Sequence, residues 1–170
     1  MSVRILGIDP GSRVTGFGII DVQGETLTHV AHGVIELDTK EQDFHGRLAE
    51  LQQAIFELQE KYQARESVIE KIFLGKNADS AFKLGHARGV VIAELACSGC
   101  RIFEYATRSV KKGITGNGGS SKEDVQFVLK QLLGLKQVSR IDASDALAMA
   151  VYHARERQKS FILSRMKELL

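Results

Sequence analysis

VRILGIDPGSRVTGFGIID, residues 3–21, holds two apolar runs on either side of a turn-forming Pro-Gly-Ser. Read as strands, VRILGID and VTGFGIID fold back on one another. Asp9 ends the first run where a buried strand would favour another Val or Ile, and Gly16 and Gly18 stand at alternate positions of the second, leaving room for close packing or backbone approach. Taken singly, Asp9 also suits an Asx-turn opened with Pro10 and Gly11. A third run from about Glu25 to Leu37 follows a VQG bend and completes an antiparallel meander.

Beyond Leu37 the period changes. Phe44, Leu48, Leu51, Ile55, Leu58 and Tyr62 recur at spacings of three and four, one face of an amphipathic helix. SVIEKIF, residues 67–73, reads as a fourth, central strand with Glu70 inside it. From about Asp79 to Cys97 a second helix carries Ala81, Gly85, Gly89 and Ala93 at i,i+4, a ridge of small side chains that lets another element approach. RIFEYA, residues 101–106, is a fifth strand. Residues 108–122, RSVKKGITGNGGSSK, read as a mobile glycine-rich loop, followed by helices over about Ser121–Leu133 and from Asp142 onward. Three strands followed by alternating helix and strand predict a single α/β domain over residues 1–170, with a mixed five-stranded sheet flanked by helices.

The chain has 170 residues, 44% of them hydrophobic and 26% charged, the balance of a soluble globular protein. No run approaches a membrane span and residues 1–20 lack a signal-peptide core, so the cytoplasm is the expected location. Cys97 and Cys100 form a lone C-x-x-C without a second pair to complete a zinc site. Charge is unevenly spread: residues 36–70 hold nine acidic and four basic side chains, residues 71–122 nine basic and three acidic. The 108–122 stretch has four positive charges, no negative ones and four glycines. That composition attracts polyanions, although most charge runs are simply solvated.

Four acids interrupt the pattern. Asp9 ends the first strand, Glu70 lies in the fourth, and Asp142 and Asp145 stand three apart at the start of the last helix, which turns both toward one face. Each has a plainer reading: Glu70 on a solvent-facing edge, Asp142 as N-cap, Asp145 as a first-turn acid. Together they differ, because the first and fourth strands are natural neighbours at the centre of a mixed sheet. Two carboxylates about 4 Å apart repel by roughly 1 kcal/mol in water and about 4 at an effective dielectric of 20. Four gathered acids therefore need protons or cations. Oxygen-only ligation suits Mg²⁺, which fills its shell with waters and phosphate oxygens; a pair of such ions serves in-line phosphodiester displacement.

LGIDPGSRVTGFG, IEKIFLGKNADSAFKLGHARG, EYATRSVKKGITGNGGSSKEDV and DASDALAMA, in that order across about residues 3–155, resemble the RuvC family of crossover (Holliday) junction endodeoxyribonucleases, of ribonuclease-H-like fold. The resemblance implies that Asp9, Glu70, Asp142 and Asp145 are a metal-binding catalytic tetrad using Mg²⁺, two ions per site, with Mn²⁺ as a substitute. It also implies that Phe73 stacks on an exposed base and that Arg108, Lys111, Lys112 and Lys122 face the cleaved backbone of a four-way DNA junction. A homodimer and a branch-migration motor are the implied partners. Lys71 departs from the family's usual amide after the glutamate, and a strand would turn it away from Glu70.

Three other readings share parts of this pattern. Actin-like and sugar-kinase ATPases carry a similar G-I-D-x-G hairpin but need a second comparable domain. Small ribonuclease-H-like nucleases acting on structured RNA share the opening motif without KNADSAFKLGHARG. A catalytically silent junction-binding module would have no use for all four acids.

Overall fold

The computed structural model describes residues 2–71, 78–138 and 140–168. Its centre is a five-stranded sheet of order β3-β2-β1-β4-β5. The strands are β1 (Val3–Asp9), β2 (Val14–Gln23), β3 (Thr26–Glu36), β4 (Glu66–Glu70) and β5 (Arg101–Tyr105). The first three form the antiparallel meander, while β4 pairs parallel to β1 on one side and to β5 on the other. Beside them lie α1 (Phe44–Tyr62), α2 (Ala78–Cys97), α3 (Thr107–Thr115), α4 (Lys122–Leu133) and α5 (Ile141–Glu168). The architecture is an α/β fold with a mixed sheet, as the element order predicts, and of the ribonuclease-H-like kind that the resemblance implies.

Alternation along the central strands divides the interior in two. Leu6, Ile8, Ile19 and Ile69 face α1 and α2, packing with Leu51, Ile55, Val91 and Leu95. Ile5, Ile20 and Val68 face α3, α4 and α5, packing with Val110, Leu129, Leu147 and Val151. Residues two apart share a face, so Asp9 and Glu70 lie on the α5 side with Ile5 and Val68. β1, β4 and β5 run the same way, which brings Asp9, Glu70 and Tyr105 to one edge of the sheet. The carboxyl edge of parallel strands is where α/β sheets bind ligands.

The alternating glycines decide how close α5 can come. A Cβ on Gly7 would run into the Ala146 carbonyl, one on Gly16 into the Asp142 carbonyl, and one on Gly18 would lie 2.6 Å from Leu147 Cγ. Three glycines on one face of β1 and β2 thus let the first two turns of α5 rest against strand backbone. The Pro-Gly-Ser turn is closed by the buried Thr15, whose hydroxyl donates to the Gly11 carbonyl and accepts from the Gly11 amide, both at 3.2 Å.

Three local readings are corrected. Glu70 does not sit inside its strand but is the last residue of β4, at the open edge. The stretch 108–122 is not a continuous loop: Thr107–Thr115 is helical, because Val110 and Ile114, one turn apart, are buried against the core. Gly116, at φ 84°, ends that helix, and only the short segment before Ser121 is irregular. Ser121 then caps α4, accepting from the Asp124 amide at 3.1 Å while the Asp124 carboxylate accepts from the Ser121 amide at 2.9 Å. Asp142 is the second helical residue of α5 rather than its N-cap.

Candidate active site

A cleft opens at the sheet edge, lined by Asp9, Glu70, Tyr105, Thr107, Lys111 and Asp145 over an apolar floor that includes Val110 and Met149. Asp9 arrives on β1, Glu70 on β4 and Asp145 on the first turns of α5. Asp142, three residues earlier, does not line the cleft, but its charge acts on Asp9 together with those of Glu70 and Asp145. Burial, followed by repulsion from these three acids, pushes the Asp9 carboxyl up to about 7.

Two contacts engage the acids that flank Asp9. Lys122, the first residue of α4, donates from Nζ to Asp145 Oδ2 at 2.8 Å. That hydrogen bond, with added attraction from Asp9 and Asp142, holds the Lys122 ammonium above its usual range despite some burial. On the other wall, the Thr107 hydroxyl donates to Glu70 Oε1. No group of three or more His, Cys, Asp or Glu side chains among the described residues stands gathered as a ready-made metal shell. The chemistry of the donor set nevertheless fits a hard cation. Every candidate ligand is a carboxylate, and a half-buried Asp9 surrounded by negative charge gains from any positive neighbour.

The Asp9 carboxyl makes the metal-free fold pH-dependent. Its folded value, about 7, lies above the ordinary 3.8, so the folded state holds a proton that the unfolded state releases. This contribution is fully present below pH 4 and is lost as pH rises through 7. Three units at 1.36 kcal/mol each set a ceiling of about 4 kcal/mol, which partial solvent access reduces to about 2. In chelator, the unaltered chain should therefore melt lower at pH 8 than at pH 5 by more than Asp9→Asn does. Equal pH dependence in the two would show that Asp9 is not under this electrostatic load.

The remaining basic residues take different places. Lys111 lies in the cleft wall, and its Nζ donates to the Ser120 carbonyl at 2.9 Å, bracing the turn that leads to Lys122. Arg108 is exposed on α3 with its side chain against Gly118. Lys112 is exposed on the same helix and does not line the cleft. Phe73 lies outside the described residues, and Lys71 is exposed just beyond β4. Thr107 and Tyr105 were not singled out from the sequence. The available signal was the Val110 and Ile114 spacing, which starts a helix at Thr107 and so puts its hydroxyl at the sheet edge. Cys97 and Cys100 are unpaired, and burial pushes the Cys100 thiol up to about 11, away from thiolate chemistry.

Fold and cleft together define a ribonuclease-H-like domain with an acidic site at the carboxyl edge of its parallel strands. Comparison with known proteins narrows this class. The family described as "Crossover junction endodeoxyribonuclease RuvC" matches residues 5–153. A protein of that name from Bdellovibrio bacteriovorus is 59% identical over 169 residues, covering 99% of this chain and 100% of the relative. One from Dichelobacter nodosus is 48% identical, covering 91% and 87%. Among solved structures, Thermus thermophilus RuvC in complex with Holliday junction substrate superposes with a TM-score of 0.86 at 26% identity, covering 93% of this chain and 96% of the other. The yeast mitochondrial Holliday junction resolvase Ydc2 shares the fold, with a TM-score of 0.75 at 15% identity, covering 99% and 86%. The chain belongs to the RuvC family of crossover junction endodeoxyribonucleases.

Proposed function

We propose that this protein resolves four-way DNA junctions by paired, symmetric phosphodiester cuts, in homologous recombination and DNA repair. The observation that carries the reading is the convergence of Asp9, Glu70 and Asp145 on one cleft, with Asp142 acting on it through its charge. These four carboxylates would hold Mg²⁺, two ions per cleft, with Mn²⁺ as a substitute. Bound there, the metal supplies an activated water and charge neutralisation at the phosphate. The chain's own groups position and shield. Thr107 restrains Glu70, the apolar floor limits water, and Lys122 sits on Asp145 until a phosphate competes for its ammonium.

Arg108 and Lys112, both exposed on α3, would follow the phosphate backbone, and Lys111 would act mainly by holding the turn before Lys122. Phe73 would stack on a base opened at the branch point. Lys122→Ala should slow cutting of a saturating junction by about a hundredfold, the scale of losing one charge-stabilising donor, while weakening binding only slightly. Single-turnover cleavage and a binding titration on the same junction separate the two effects. An unchanged rate would make Lys122 an ordinary surface lysine.

A four-way junction has two-fold symmetry and needs two cuts, which one cleft cannot make together. A C₂ homodimer meets that need. The small-residue ridge of α2 supports such a pairing: Gly85 and Gly89 are exposed with nothing near a Cβ placed on either, while the opposite face of α2, with Ala87, Val91 and Leu95, is buried in the monomer. Gly89→Leu should therefore leave the monomer's melting transition in place and shift sedimentation toward monomer. A dimer of undiminished affinity would put the interface elsewhere. A branch-migration motor as further partner rests on the family resemblance. No helix among the described residues is long and apolar enough to cross a membrane.

The testing experiment offers Mg²⁺ and a labelled mobile four-way junction beside linear duplex and structured RNA. Cuts confined to the junction support the reading. Preferential RNA cutting, or junction binding without any cut, would contradict it.

A further inference from the structure

Behind the cleft lies a buried polar chain that the proposed chemistry does not use. His153, on α5 two turns beyond Asp145, is 1% exposed. Its Nε2 lies 3.0 Å from Glu66 Oε2, at the start of β4, and its Nδ1 lies 2.8 Å from the Tyr105 hydroxyl, at the end of β5. Glu66, 4% exposed, also accepts from Arg157 Nε at 2.7 Å. Those partners fix the imidazole's tautomer. A carboxylate that already accepts from a guanidinium only accepts, so Nε2 carries the proton and Nδ1 receives the Tyr105 O–H. Burial lowers the His153 imidazole below its ordinary value, which agrees with a neutral ring.

Tyr105 is also a wall of the cleft and the register partner of Glu70. Its carbonyl accepts from the Lys71 amide at 2.9 Å, directly after Glu70, and Thr107, two residues on, donates to the Glu70 carboxylate. The acids of the site come from the sheet and from a helix: Asp9 from β1 and Glu70 from the β4–β5 pair, Asp142 and Asp145 from α5. His153 bonds side chains at both ends of that strand pair to the helix that carries the two aspartates.

We propose that His153 is a positioning residue for cleavage, acting through Tyr105 to hold the Glu70 wall of the cleft in register with Asp142 and Asp145. This rests on the four-carboxylate reading of the site. The hydroxyl of Tyr105 and the imidazole of His153 are one link, and breaking it at either end loosens the same wall. A displacement of under 1 Å between carboxylates impairs the chemical step before it impairs junction affinity, since affinity comes mainly from phosphate contacts elsewhere.

The test measures single-turnover cutting on a saturating junction, junction affinity and melting temperature for Tyr105→Phe, His153→Leu and the double variant. Tyr105→Phe removes one oxygen and keeps the ring, so it guards against failure to fold. It should cut about tenfold more slowly with affinity unchanged. The double variant should be no slower than the slower single one, because both break the same link. A folded Tyr105→Phe that cuts at the unaltered rate would overturn the inference, as would rate losses that multiply in the double variant. Failure of the unaltered chain to cut would overturn the four-carboxylate reading and this inference with it.

Discussion

Asp9→Asn will cut a four-way junction at least about a thousandfold more slowly than the unaltered chain, with junction affinity within about twofold. The rate falls because the amide keeps the shape of the carboxylate but not its charge, at the acid where burial and three like charges converge. Binding should survive because the proposed phosphate contacts Arg108 and Lys112 are exposed on α3 and do not line the cleft that holds Asp9. The same substitution relieves repulsion, so the metal-free variant should be the more stable protein at pH 8. Loss of cutting together with a gain in metal-free stability marks a residue strained for function rather than one needed for folding. Cutting at the ordinary rate would remove Asp9 from the site.

Gly16→Ala should be nearly as damaging, for a mechanical reason. A methyl group at this position meets the backbone of Asp142 and Ala143 rather than a side chain able to rotate away. Either β2 or the start of α5 must yield, and overpacking of this kind costs about 1–3 kcal/mol. For a chain of this size that lowers the melting temperature by roughly 2–12 °C. The shift also carries Asp142 and Asp145 away from Asp9, and a misplacement near 1 Å costs about a hundredfold in rate. Melting curves and single-turnover cleavage of the same preparation check both. A variant that melts and cuts like the unaltered chain would mean that α5 does not depend on the glycine for its seat.

The sequence made the framework legible because its signals are local. Asp9 followed by Pro10 and Gly11 announces a strand end, the three-and-four spacing from Phe44 to Tyr62 announces α1, and the spacing of Asp142 and Asp145 puts two acids on one face. The meander, the place of β4 beside β1, and the use of Gly16 and Gly18 for close approach all follow from such patterns. What escaped the sequence depends on distant partners. The bond from Thr107 to Glu70 joins positions 37 apart, and the link from His153 to Glu66 joins positions 87 apart. Neither leaves a periodic trace. The α3 helix was hidden for a different reason: Gly113 and two lysines mask the pairing of Val110 with Ile114, and only packing against the core reveals it. The Tyr152 ring packed against Gly113 explains the glycine, since a Cβ there would strike the ring.

As proposed, two copies of one acidic cleft cut a four-way junction in symmetric pairs. A supercoiled plasmid that extrudes a cruciform tests this directly, because both cuts made within one binding event convert supercoiled circles to linear molecules without passing through free nicked circles. With Mg²⁺, linear product should appear from the start of the reaction, with ends mapping symmetrically across the cruciform, and Asp9→Asn should give none. Nicked circles accumulating first, or breaks scattered away from the cruciform, would contradict it.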